Sequence, residues 1–239
     1  MAYRAIGWRD YVFPAPSRVF LALVELLKVS PAFASRPLIE ATLVSIARLL
    51  GGFGISILIG AALGLAMWTW EEVDKMLGPL FLGIQTLPSV CWVPLAIIVM
   101  GINEAGIIFV LVMGSAFAVA ISLRDGLRTI PPIYSRAGLM LGANGWKLYR
   151  HVLLPASMPA VAGSLRQGFS FAWRSLMGAE FIFIVQKHGL GFLLSMGRDY
   201  NDVAQVIAVM GVMIVIGMMA DRWIFAPMQA RVQARFGLA

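Results

Sequence analysis

SRAGLMLGANGWKLYRHVLLP, residues 135–155, is the stretch on which the reading of this chain turns. It lies between two long apolar runs and carries Arg136, Lys147, Arg150 and His151. A connection between two membrane-crossing helices needs only a few residues. This one is long, basic and patterned, as a segment that presses against another protein at the membrane surface would be. Pro131-Pro132 break the helix before it, and residues 133–141 read as a short helix. Gly142 then permits a left-handed turn, with Gly145 as a second break. Asn144 is placed to cap a second short helix carrying Trp146, Lys147, Tyr149 and Arg150.

The flanking chain fixes the class. Hydrophobic residues make up 60% of the sequence and charged residues 13%, with a mean hydropathy of +0.84. Those values place it with polytopic helical membrane proteins. The 239 residues can hold roughly five or six spans of about 20 residues each. Five are expected, over residues 41–70, 77–100, 105–123, 158–185 and 203–225. Residues 17–28, SRVFLALVELLK, are too short to cross and read as an interfacial helix capped by Ser17. The organisation is therefore a tail with an interfacial helix (1–40) and one membrane domain (41–239). Residues 124–157 form its basic loop. The opening MAYRAIGWRDYVFPAPSRVF has no continuous apolar core of the kind found in a cleavable signal.

The net charge of +7 does not point to nucleic acid, because the positive residues sit mostly in loops between apolar runs. Arg124, Arg128, Arg136, Lys147 and Arg150 in the loop, with Arg222, Arg231 and Arg235 in the tail, mark one side as cytoplasmic. Five spans then leave the N-terminus outside, although Arg4, Arg9, Arg18, Lys28 and Arg36 precede the first. Cys91 is the sole cysteine and lies in an apolar run, so no disulfide framework is expected and a buried small hydrophobe is.

Within the spans, Gly52, Ser56, Gly60 and Gly64 recur every four residues on one helix face, a stripe suited to close helix packing or to a subunit interface. Pro88 and Pro94 must kink or break the second span beside Gln85, Thr86 and Ser89. Broken helices persist in membranes where they are enclosed by protein or line a watery path. The break therefore reads either as a structural kink or as a pore-lining gate. Arg166, Arg174 and Glu180 in the fourth span need a cavity, a partner or an interface. Arg166 can snorkel outward. Glu180 and Arg174 are six residues apart and do not share a face, so Glu180 is expected to pair with another helix or meet solute. His188 is expected to be solvated.

No G-x-x-x-x-G-K-[ST] loop occurs, so this chain is not expected to bind ATP itself, and no cofactor is expected in it. H-E-x-x-H is absent, His151 and His188 lie apart, and no Ser–His–Asp set can be assembled; neither a metal site nor catalysis is expected.

The loop resembles the cytoplasmic signature of permease subunits of bacterial ATP-binding-cassette importers, E-A-A-x-x-x-G-x9-I-x-L-P. Arg136-Ala137-Gly138 stands at E-A-A, Gly142 at the glycine, and Val152-Leu153-Leu154-Pro155 at I-x-L-P. Arginine at the acidic position removes any ion pair made there. ATLVSIARLLGGF (41–53), Pro79-Leu80, Gln85, Leu87-Pro88, Trp92-Val93-Pro94-Leu95 and Gly101-Ile102 resemble the nitrate/sulfonate/taurine-type branch. So do Trp173, Ala179-Glu180, Gly189-Leu190-Gly191 and Asp221, and the likeness covers nearly everything from Pro14 onward. Members of that branch usually have six spans, with one before a P-S-P-x-x-V segment. Here Pro14-Ala15-Pro16-Ser17-Arg18-Val19 comes almost at once. Either the chain starts late or it is a natural five-span variant; one further span would put the basic tail inside.

The resemblance implies an importer of two permeases and two ATPases, fed by an extracytoplasmic solute-binding protein in the bacterial inner (plasma) membrane. ATP and magnesium would be bound by the partner ATPase. Arg136, Ala137, Gly138, Gly142, Ala143, Trp146, Lys147 and Pro155 would form the ATPase-coupling surface. Depth and polarity suggest Gln85, Thr86, Ser89, Trp92, Trp173 and Glu180 as the lining of the pathway. For an oxyanion, Arg174 would attract and Glu180 oppose. Nitrate, sulfonates, taurine, bicarbonate, aromatic acids and vitamin precursors all remain open, as does pairing with a second copy or with a sister permease. The rival classes are an ATP-independent transporter or channel, which would favour two visible halves, and a non-transporting assembly subunit.

Overall fold

The computed structural model describes residues 14–29 and 36–235. Arg4 and Arg9, and the reading of the N-terminal tail as far as residue 13, lie outside the described residues. Among the described residues every regular element is helical.

α1 (Pro16–Leu27) starts with proline at its first position and Ala15 as its cap residue. Ser17 is therefore inside the helix and makes no cap hydrogen bond, contrary to the sequence expectation. Its apolar side is left uncovered at Phe20 and Leu21. α2 (Pro37–Thr69) follows, with 33 residues, about 50 Å at 1.5 Å per residue, well over the ~30 Å hydrocarbon core. α3 (Glu71–Thr86) opens on Glu71, Glu72 and Asp74, acidic residues that suit a helix N-terminus.

Leu87 is extended (φ −70°, ψ 127°) as the residue before proline must be, so the helix stops there. A 3-10 turn (Ser89–Trp92) and α4 (Val93–Met100) resume beyond it. Cys91 lies in that turn and is exposed, not buried as its apolar neighbours suggested. α5 (Glu104–Arg128) leads to α6 (Pro132–Met140), the first half of the basic loop.

A helical turn, α7 (Trp146–Leu148), passes through a π turn (Tyr149–Leu153) into α8 (Leu154–Ile182). The second short helix is thus continuous with the next long one. α9 (Leu190–Asp199) and α10 (Val203–Ala220) are joined by a left-handed Asn201 (φ 58°). There Asp202 N–H bonds to Gly197 O and Asn201 N–H to Arg198 O. Asp202 then caps α10 by accepting from Gln205 N–H. A π turn (Asp221–Phe225) and α11 (Ala226–Arg235) end the described chain.

Among the described residues three helices are long and apolar enough to cross a membrane, and four if the pair broken at Leu87-Pro88 is one span. The fourth expected span, now α8, has the length, but its prolines, serines and arginines dilute its hydropathy.

The chain divides into two compact units, each taking parts of several helices. The first comprises Met1–Gly52, Ser89–Leu111 and Trp173–Met218. Its core includes Ile107, Val110, Leu176, Leu190, Leu193 and Val209. A β-carbon at Gly52 would press on Leu111. The second comprises Phe53–Pro88, Val112–Ala172 and Met219–Ala239. Here α2 and α5 lie backbone to backbone. Ser115 donates to Ser56 at 2.8 Å. β-carbons at Gly60 and Gly64 would strike the carbonyls of Ala116 and Ala120. Gly60→Val is expected to destabilise the protein by about 1–3 kcal/mol through overpacking. A lower melting temperature in detergent would register it, and an unchanged one would mean that the helices part freely.

Aromatic rings fill the second unit as well, with Phe81 and Phe117 at 4.8 Å and Phe169 and Phe225 at 4.7 Å. Arg166 grips Asp221 through two hydrogen bonds of 2.7 and 2.8 Å, which explains how α8 carries that charge. Both side chains are 43% exposed, so Asp221→Asn should cost no more than about 1 kcal/mol. Chemical denaturation would measure it.

Candidate functional site

The basic loop lies within the second unit and is a built structure. α6 is closed by a hydrogen-bonded turn: Ala143 N–H bonds to Gly138 O and Gly142 N–H to Leu139 O, each at 3.0 Å. Gly142 is left-handed with φ 79°, as that turn requires. Gly138 is buried against Leu148 and Val152 so closely that a β-carbon would collide with both. One face of α6 is thereby seated on the α7 region. The other face is open: Ile133 and Leu139 are exposed, Met140 is 89% exposed and Leu141 87%. Arg136, Ala137 and Lys147 are exposed beside that ridge, while Ala143 and Pro155 are half-buried. Trp146 begins α7, preceded by Gly145 at φ 52°. Asn144 contributes its carbonyl to Lys147 N–H, so the expected capping role falls to its backbone. A cavity of about 250 Å³ opens at the loop's root, lined by Thr129, Pro131, Tyr134, Ala156 and Pro159 among others.

The residues expected to line a pathway divide between the units. Gln85 and Thr86 belong to the second. Gln85 is half-buried and donates to Phe117 O at 2.9 Å, whereas Thr86 is exposed and donates to Gly83 O. Ser89, Trp92, Trp173 and Glu180 belong to the first. Ser89 and Trp92 are half-buried in the turn, and Trp173 is buried with its ring beside Gly217. Arg174 is exposed on α8. His188 is half-buried with its ring stacked on Phe192 at 3.9 Å, not simply solvated.

Glu180 is 1% exposed and fully committed. It accepts from Ser45 at 2.7 Å, from Arg48 at 2.8 Å and from Gly191 N–H at 3.1 Å. Its partner is therefore on α2, as a buried carboxylate on one helix needs a cation from another. Arg48, 6% exposed, also takes Glu104 by two hydrogen bonds (2.7 and 2.6 Å) and donates to Lys187 O. Ser45 closes the ring by accepting from Leu190 N–H. The node joins α2, α5, α8 and the α8–α9 turn within the first unit. Sequence reasoning passed over Ser45, Arg48 and Glu104. The available signal was a lone arginine inside an otherwise apolar run.

Long apolar helices joined by a glycine-hinged basic loop with an exposed apolar crest define a polytopic membrane protein with a built surface loop. The chain belongs to the family described as binding-protein-dependent transport system inner membrane component, whose profile matches residues 56–226. It is a multi-pass membrane protein and an ATP-binding-cassette importer permease.

Similar proteins agree. A Methanocaldococcus jannaschii protein assigned to the ABC transporter permeases is 31% identical over 185 residues, 77% of this chain and 69% of the relative. The bicarbonate transport system permease CmpB of Synechococcus elongatus is 28% identical over 77% of the chain and 66% of the relative. The nitrate import permease NrtB of Synechocystis is 24% identical over 75% and 65%. In fold, the chain is similar to one from inward-facing structures of the MetNI methionine ABC transporter, with a TM-score of 0.62. That match has 17% identity and covers 84% of this chain and 98% of the other.

Proposed function

We propose that this chain forms the solute pathway of an importer for a small anion, nitrate or bicarbonate being the first candidates, and takes its energy at the basic loop. The observation that carries the reading is the α6 ridge. Ile133, Leu139, Met140 and Leu141 are exposed on a helix anchored from behind by Gly138. A solvated loop has no use for four exposed apolar side chains of this size, but a groove on a cytoplasmic ATPase does. Arg136 and Lys147 flank the ridge and would meet acidic groups around that groove.

The ATPase binds ATP and magnesium, and its closure moves the docked loop as a rigid body. A solute-binding protein delivers the anion on the opposite side of the inner membrane, and a second permease, identical or sister, completes the pathway. The nitrate and bicarbonate permeases among the relatives support the anion class, with Arg174 as the attracting charge. Purification in mild detergent tests the reading. An ATPase subunit should co-purify in stoichiometric amount and be lost when Met140 and Leu141 are both changed to Glu. Nitrate and bicarbonate uptake into cells with and without an ATPase-dead partner tests the solute; uptake that survives the dead partner overturns the mechanism.

A further inference from the structure

At the root of the loop, α3 and α5 are clamped by one carboxylate. Asp74, on the first turn of α3, accepts from Arg124 Nη1 at 2.9 Å through one oxygen and from Arg128 Nη2 at 2.8 Å through the other. Its side chain is 13% exposed and that of Arg124 11%, so this arm of the clamp is largely out of water. Arg124 is further held by Asp125, and Gly78 packs so tightly on Arg124 that a β-carbon would strike the guanidinium. Arg128 is the last residue of α5, and the loop begins at the next residue.

Further along the same two helices, Phe81 packs on Phe117 and Gln85 bonds to Phe117 O. One residue past Gln85, α3 ends at Thr86, before the break at Leu87-Pro88. The second unit thus holds both ends of α3 to the C-terminal half of α5, from the root of the loop to the break. Loops whose helices were free to slide would dissipate any push at the surface; a helix pinned at both its ends moves with the one it is pinned to.

We propose that Asp74 is the positioning residue that transmits displacement of the loop along α3 to the broken segment, so that nucleotide state at the ATPase is felt at Leu87-Pro88. This rests on the permease reading above and adds the residue through which the coupling passes. The carboxylate's two oxygens are both in use, each on a different turn of α5, so Asp74 resists both sliding and rotation of α3. Asparagine keeps the size of the side chain but offers one acceptor in place of two and no charge. Arg128 is the more exposed arm, so Arg128→Gln removes half the clamp and leaves the Arg124 pair in place.

The chain carries its own reporter. Cys91 is the sole cysteine, exposed in the turn just past the break. The complex with its ATPase is purified for wild type, Asp74→Asn, Arg128→Gln and Lys75→Gln, the last altering only an exposed pair with Glu71. Maleimide labelling of Cys91 is followed by mass spectrometry of its peptide, with and without ATP and magnesium. Wild type and Lys75→Gln should change labelling rate on adding ATP. Asp74→Asn should retain the ATPase yet lose that change, and Arg128→Gln should fall between. An ATP response in Asp74→Asn equal to wild type overturns the proposal, as does a wild type that binds its ATPase but shows no response at Cys91. Failure of the ATPase to co-purify with wild type would instead overturn the permease reading. If Asp74→Asn does not assemble, the Arg128→Gln response decides, and a full wild-type response there also overturns the proposal.

Discussion

Replacing Gly142 with valine is expected to leave ATP hydrolysis running while coupled uptake falls by about tenfold. At φ 79° a β-branched residue is sterically opposed, at a cost of about 1–3 kcal/mol. About 1.4 kcal/mol is a factor of ten in the population of the closed turn. The turn is what joins Gly138 O to Ala143 N–H and Leu139 O to Gly142 N–H. Opening it frees Met140 and Leu141 from the seat that Gly138 provides, and a ridge without a seat can still touch the ATPase but cannot be pushed by it. Gly142→Asn provides the control. Asparagine tolerates the left-handed region, and Asn201 already holds φ 58° in an equivalent turn of this chain. Uptake per ATP in proteoliposomes should be near normal for Asn and strongly reduced for Val. Equal values for the two would show that the turn's conformation is irrelevant to coupling.

The second large effect is expected at Arg48. Arg48→Met leaves Glu180 buried with no cation, and breaking a buried pair in this way costs about 3–5 kcal/mol. Glu104, its other partner, is half-exposed and can turn to solvent, so the penalty comes from Glu180. A sharp loss of folded protein should follow, read as a fall in melting temperature and in membrane accumulation. Adding Glu180→Gln should restore part of the loss, because the amide oxygen can still accept from Ser45 and Gly191 without carrying a charge. If the double variant is worse than the single, the carboxylate is sustained by something other than Arg48.

The loop was largely legible because its instructions are local. Two prolines, two glycines and an asparagine within a short window punctuate the chain wherever they occur, and α6 begins at Pro132 as they dictate. Its join to the next helix was not legible: the short second helix was inferred from Asn144 as a cap, and a cap marks where a helix starts, not how far it runs. The helix break at Leu87-Pro88 followed from proline chemistry, but the exposure of Cys91 did not, since apolar composition says nothing about which side of a break is covered. The Arg48–Glu180 pair spans 132 positions in sequence, and no local pattern reports such a distance. The charges in α8 did announce that partners were needed, and Asp221 and Arg48 answer for Arg166 and Glu180.

The π turn at Tyr149–Leu153 sets a phase. One extra residue in a helix advances everything beyond it by about 100° around the axis. The short stretch Trp146–Leu148 therefore faces a direction that a plain α-helix running back from Leu154 would not give it. Straightening residues 149–153 into plain α-helix with no residue removed would lose almost no hydrogen bonding, yet it would rotate the crest of the loop by over a quarter of a circle. A permease altered in that way could fold, insert and remain intact while presenting the wrong side of itself to the machine that drives it.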